Sequence, residues 1–190
     1  MRHATLRTGL FLALLAPMFL AIPMGGCSSA SRESEPKVPP LGSKAPDFTL
    51  PDAHGGNVRL SELMKKGPVL IVFHLGYSCP RCVSHLRELA VRKAEFDKYR
   101  TQIVAIGPDS VEDTKQSIEA YGDFPFPMLC DPDMKVYREY GLLTGSDTIF
   151  HGLFIIDSHD VVRMGAKSTH PIEQFDTMLK CLQKVDSEGE

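Results

Sequence analysis

The chain has 190 residues, a formal charge of −3, 24% charged residues and five cysteines. That length suits one globular domain with a sizeable core. Neither the net charge nor any basic cluster supplies the electrostatic footprint of a nucleic-acid binder.

Residues 1–26 read as a targeting segment. Arg2 and Arg7 give a positive start, Leu10 to Ile22 is an apolar run of about thirteen residues, and Met24-Gly25-Gly26 leads to Cys27. Such a run is short for a bilayer span. Its removal takes away two arginines and no acid, moving the formal charge from −3 to −5. After Cys27, the stretch to Pro40 is rich in Ser, Glu, Lys and Pro with one aliphatic, Val38, so residues 27–40 read as an extended tether and the folded domain as residues 41–188.

Within the domain, Asp47 to Leu50 and Asn57 to Leu60 alternate around Asp52-Ala53-His54-Gly55-Gly56, a hairpin pattern. Ser61 reads as the cap of a short helix that Gly67-Pro68 ends. Val69 to Phe73 is an unbroken apolar run rich in β-branched residues, hence a buried central strand. The stripe Leu86, Leu89, Ala90, Lys93 and Phe96 carries a helix to about Tyr99. Gln102 to Gly107 follows as a strand, Val111 to Tyr121 as a helix and Phe126 to Cys130 as a short strand. Met134, Val136, Tyr137 and Tyr140 form a short helix closed by Gly141. Leu153 to Ile156 is a third buried strand, which turns at Ser158-His159-Asp160 into an antiparallel partner, Val161 to Met164. A last helix runs from about Pro171 to Val185. Alternating strands and helices, then a terminal hairpin and helix, give an α/β sandwich with a mixed sheet.

The chemistry lies between the central strand and the helix after it, in Cys79-Pro80-Arg81-Cys82. A helix N-terminus leaves N–H groups unpaired and carries the positive end of the dipole, so a cysteine placed there ionises readily. Pro80 fits the first turn because its missing N–H removes no helical bond. Arg81 adds a cation beside the sulfurs, and Cys82 lies within disulfide reach. Zinc asks for about four ligands and the chain has no second Cys-x-x-Cys, so the pair reads as redox-active. Cys79 is expected to be the nucleophile, because Cys82 lies a turn further in, beside Val83 and Leu86.

The small residues before Cys27, followed by Ser28 and Ser29, resemble the lipobox of bacterial lipoproteins, with Met24 where that pattern usually carries Leu. The resemblance implies acylation of Cys27 and an exported protein anchored to a membrane of the cell envelope. Disulfides persist in such a compartment. The cysteines left to form them are Cys79, Cys82, Cys130 and Cys181.

Ala45-Pro46-Asp47-Phe48-Thr49-Leu50, Val104 to Asp109, Pro127 to Asp133 and Gly152 to Asp157, in this order, resemble the alkyl hydroperoxide reductase / thiol-specific antioxidant family. The resemblance implies a thioredoxin-like, peroxiredoxin-like three-layer α/β sandwich around a central mixed sheet. Peroxiredoxins carry Pro and Thr seven and three residues before the peroxidatic cysteine, where counting back from Cys79 gives Val72 and Gly76. His151 stands where the resemblance places a cis-proline in thioredoxins and an arginine in peroxiredoxins, so it is a candidate to tune the pair together with Arg81. Cys130 reads as a buried thiol and Cys181 as a remote alternative resolver; His74 and His85 read as packing or surface residues.

The function expected is that of an exported, membrane-anchored thiol-disulfide oxidoreductase. It needs no dissolved cofactor, and its partner is a thiol or disulfide protein or a hydroperoxide, with the electron donor unnamed. A peroxidase variant uses the same Cys79. The alternative is a resemblance to the Sco family of copper-binding assembly factors, carried by the exported anchor, Gly76-Tyr77-Ser78-Cys79-Pro80 and a late histidine. That reading implies Cu(I) held by Cys79, Cys82 and His151.

Overall fold

The computed structural model describes residues 37–188. The segment expected to be a signal, and Cys27 with it, lies outside the described residues. Strands β1 (Thr49–Pro51) and β2 (Asn57–Arg59) pair antiparallel, with Leu50 opposite Val58, and α1 (Leu60–Met64) follows at once. Ser61 is inside this helix, which corrects its expected role as the cap. The Asp47 carboxylate instead accepts from the Ser61 backbone N–H at 3.0 Å and from its hydroxyl at 3.1 Å.

The next elements are β3 (Val69–Phe73), α2 (Pro80–Val91), α3 (Lys93–Asp97), β4 (Gln102–Gly107) and α4 (Val111–Tyr121). The single helix expected to run to Tyr99 is two. Arg92 leaves helical geometry (φ −87°, ψ 1°), and its guanidinium bonds Glu95 and, on the last helix, Asp176. After β5 (Met128–Cys130) and α5 (Lys135–Glu139) come β6 (His151–Ile156), β7 (Val162–Ser168) and α6 (Phe175–Glu188). β6 starts two residues before the expected strand and β7 continues to Ser168, because the antiparallel ladder extends to the pair His151 and Ser168.

The main sheet has the order β5-β4-β3-β6-β7, with β3, β4 and β5 parallel and β6 and β7 antiparallel to their neighbours. Side chains alternate across a strand, so β3 feeds two cores. Val69, Ile71 and Phe73 pack with Leu60 and Met64 of α1 and with Tyr137 and Tyr140. Leu70 and Val72 pack on the other face with Leu86 and Leu89 of α2 and with Phe175, Met178 and Leu182 of α6. A strand covered on both faces reads as a continuous apolar run, which is how β3 reads. The expected three-layer sandwich with a central mixed sheet is the fold observed.

The expected tether ends earlier than Pro40. Val38 packs against the first core, Pro39 is buried, and just beyond them Gly42 N bonds the Val162 carbonyl at 2.9 Å. Burial of these two residues is set by the core they meet, which a composition count does not see.

Beyond Phe73 the chain leaves the sheet for six residues before α2 begins at Pro80, and buried groups hold this loop. The Tyr137 hydroxyl donates to the carbonyls of His74 and Ile106. Asp109, just past β4, accepts the Tyr77 N–H at 3.1 Å. Its carboxylate rests against Gly76, which has φ +88° and where a Cβ would come within 2.6 Å of Oδ2; glycine meets both demands. The His74 ring lies on Gly107, where a Cβ would come within 2.7 Å of its Cε1, and its Nδ1 accepts from Gly76 N at 3.1 Å.

Burial holds the His74 imidazole down at about 4, against an ordinary 6.5. The unfolded chain therefore binds more protons between these values, and stability falls as pH drops through that window. The contribution is whole above about 6.5, is gone below about 4, and amounts to about 3 kcal/mol. His85 and His151, both depressed by burial, add to the slope with the same sign. Urea unfolding at pH 7.5 and 4.5 should show wild type losing more stability on acidification than His74→Gln. An equal loss in the two proteins would refute the assignment.

Candidate active site

At the start of α2, Cys79 is the N-cap residue with extended backbone (φ −99°, ψ 100°), and Pro80 occupies the first helical position. The Sγ of Cys79 accepts the Cys82 N–H at 3.3 Å, in the role that an oxygen of Ser or Asp plays at other helix starts. Cys79 and Cys82 are disulfide-bonded, with Cα atoms 5.3 Å apart. Their environments differ. Cys79 is half-buried at the rim, whereas Cys82 is 1% exposed.

The first residue of β6 brings His151 under the pair. Its Nε2 lies 3.2 Å from the Sγ of Cys82, and the ring is 4% exposed. Burial pushes its pKa below the ordinary value, and His85, His170 and Arg81 push the same way. Arg81 itself is exposed and makes no hydrogen bond or ion pair among the described residues. His74 and His85 are buried, the former beneath the loop and the latter with its ring 5.4 Å from that of Phe175.

The sulfurs and the His151 nitrogen lie within 4.8 Å of one another, close enough to be weighed as a metal cluster. The S–S bond engages both sulfurs, and three donors leave zinc short of its closed tetrahedron, so we assign the cluster to redox chemistry. Cys130 is buried and donates to Thr114 Oγ1 at 3.4 Å, and burial pushes its thiol pKa up. Cys181 is a free thiol turned to the Arg163 carbonyl, apart from the pair. A cleft of about 620 Å³ opens beside Asp47, Arg59, Cys130, Asp131 and Lys135. None of Cys79, Cys82 and His151 lines it.

Asp109 and Tyr137 were not singled out by the sequence, although they fix the loop that carries Cys79. The signal for Asp109 was its place just past the end of β4, at the sheet edge where parallel strands present functional groups. Tyr137 gave none, since its ring belongs to an apolar stripe and only its buried hydroxyl does the holding.

The AhpC/TSA family model matches residues 41–164. A peroxiredoxin of Thermoplasma volcanium is 34% identical over 156 residues, covering 75% of this chain and 74% of the relative. The chloroplastic 2-Cys peroxiredoxin BAS1 of Hordeum vulgare is 29% identical over 170 residues, covering 82% and 80%. Among solved structures, peroxidoxin BcpB from Mycobacterium tuberculosis superposes with a TM-score of 0.70 at 26% identity, covering 77% of this chain and 97% of that one. The Sco-like expectation gains no support from these matches and is withdrawn. With its mixed sheet, its strand-to-helix disulfide and these relatives, the chain belongs to the AhpC/TSA family of thiol-dependent oxidoreductases.

Proposed function

We propose that this protein is an exported, lipid-anchored thiol peroxidase in which Cys79 is oxidised first and Cys82 resolves it. The observation that carries this reading is the disulfide between a half-buried N-cap cysteine and a fully buried one three residues on. In the reduced protein the helix start favours a thiolate at Cys79. This thiolate attacks one oxygen of a hydroperoxide, the O–O bond breaks, and the alcohol leaves with a proton. Cys79 is then a sulfenic acid. The Cys82 sulfur attacks the Cys79 sulfur, the S–O bond breaks, water leaves, and the disulfide stands until a thiol reductant returns two electrons.

A second reading, disulfide exchange through a mixed disulfide at Cys79, is favoured by one feature. Val72 is a buried strand residue and Gly76 is held against Asp109, so neither stands in for the Pro and Thr that orient peroxide in peroxiredoxins. Stopped-flow mixing of the reduced protein with hydrogen peroxide separates the readings. Oxidation well above that of a free thiol of matched pKa is expected, and a rate no higher would leave disulfide exchange as the activity. The Cys82→Ser variant should keep the first step, lose catalytic turnover and accumulate a mixed disulfide through Cys79. Cys79→Ser should trap nothing.

The anchor rests on Arg2, Arg7, the apolar run to Ile22 and the small residues before Cys27. In this reading residues 1–26 are removed, Cys27 is acylated, and the domain sits at a membrane surface of the cell envelope on a tether that ends near Lys37. Intact-mass measurement of the processed protein should give a chain starting at an acylated Cys27. A soluble product starting elsewhere would be incompatible with this anchor.

A further inference from the structure

Cys82 poses a problem that Cys79 does not. It is 1% exposed, packed in the same layer as Leu86 and Leu89, and burial in apolar surroundings disfavours a thiolate. The resolving step nevertheless needs its sulfur as a nucleophile. His151 Nε2 sits 3.2 Å from that sulfur, and the imidazole, at 4% exposure, is equally shut off from bulk water. We propose that His151 is the general base of the resolving step, taking the Cys82 thiol proton as that sulfur attacks Cys79.

This inference rests on the order of attack set out above and adds to it the group that ionises the second cysteine. In the disulfide the Cys82 sulfur carries no proton, so the observed contact is that of the product, and in the proposed reactant the thiol donates its proton along this same contact. The base must be neutral with its proton on Nδ1. Nδ1 is buried without a hydrogen-bond partner among the described residues, and Nε2 is the ring nitrogen that faces Cys82, so the neutral form able to accept a proton there is the one protonated on Nδ1. Arg81 and His85 from α2, His74 from the loop after β3, and His170 from the segment after β7 are the other titrating or charged groups near the ring. Burial is the main influence that lowers the pKa of His151, and the positive charge of Arg81 acts in the same direction, so the neutral imidazole is the favoured form.

The step balances. The Cys82 proton passes to Nε2, a bond forms between the Cys82 and Cys79 sulfurs, and the bond from Cys79 to its leaving group breaks. After peroxide the leaving group is hydroxide, which takes the proton from the imidazolium and departs as water. After a disulfide it is a thiolate. In that case the imidazolium returns its proton to the departing thiolate or to water, so His151 ends neutral on either route, and the electrons lost by the two cysteines are those that reduced the substrate.

The test uses 5,5′-dithiobis(2-nitrobenzoate), one equivalent, with the reduced full-length protein, and Cys79→Ser as the blank for the remaining thiols, Cys130, Cys181 and any unacylated Cys27. Attack by Cys79 releases one thionitrobenzoate, and attack by Cys82 on the resulting mixed disulfide releases a second. General-base removal typically slows a step by about 10²-fold or more. His151→Ala should therefore retain the first release within a few-fold and slow the second about 10²-fold at pH 7. Wild type should show a second phase nearly flat from pH 6.5 to 8, whereas that of His151→Ala should rise about tenfold per pH unit, following the thiolate fraction of Cys82. His151→Gln keeps bulk and hydrogen bonding without basicity and guards against a packing defect; it should behave as His151→Ala does. A second phase unchanged in His151→Ala, restored in His151→Gln, or slowed in step with the first would overturn the proposal. Slow reaction with hydrogen peroxide would sink the peroxidase reading alone, since this probe is itself a disulfide.

Discussion

A helix that begins at Pro80 leaves its first N–H groups short of helical partners, and the Cys82 N–H is shared between the carbonyl of Cys79 at 3.0 Å and the sulfur of the same residue at 3.3 Å. This one hydrogen bond, from Cys82 N to Cys79 Sγ, joins the fold to the chemistry. Capping the helix and stabilising negative charge on that sulfur are the same interaction, so the group that the helix needs as an acceptor is also the group that an electrophile meets. The bond requires that Cys79 arrive at the axis of α2 with extended backbone. That demand passes back through the loop to Gly76, Asp109 and Tyr137, and through them to the ends of β3 and β4.

The second cysteine lives under the opposite constraint. Three residues along the helix, it faces the layer between α2 and the sheet, where the dipole is weaker and the side chain is buried. The antiparallel return of β6 beside β3 puts His151 there, pairing Gly152 with Phe73 and so bringing the strand's first residue level with the end of β3. A rim sulfur stabilised by backbone N–H and a buried sulfur paired with imidazole form two unlike halves of one disulfide. The order of reaction proposed for the pair rests on that asymmetry.

Legibility in the sequence followed the range of the forces. β3, β4 and α4 were readable to the residue because each is specified locally: an apolar run between breakers for the strands, and a Ser110 cap with a Gly122 stop for the helix. The Cys79 and Cys82 site was readable for the same reason, as strand end, Pro80 and spacing lie within fourteen residues. What escaped was set by distant partners. Asp47 caps α1 from fourteen residues away, Arg92 ends α2 while bonding Asp176, Val38 packs against the first core, and Asp109 holds Gly76 from the next βα connection. His151 was a candidate through family resemblance alone. That it faces Cys82, and not Cys79, depended on the β3 and β6 register, which no spacing in the chain reveals.

The claim on which the rest stands is that the two sulfurs are unequal, with Cys79 the thiolate at neutral pH. Brief alkylation of the fully reduced protein at pH 7 with limiting iodoacetamide, followed by peptide mapping, reads this inequality directly. Label should collect on Cys79 ahead of Cys82, with Cys130 and Cys181 behind both rates at the helix start. Label arriving first on Cys82 would contradict the account, because it would place the reactive charge on the buried sulfur and leave the capping bond of Cys79 without a chemical consequence.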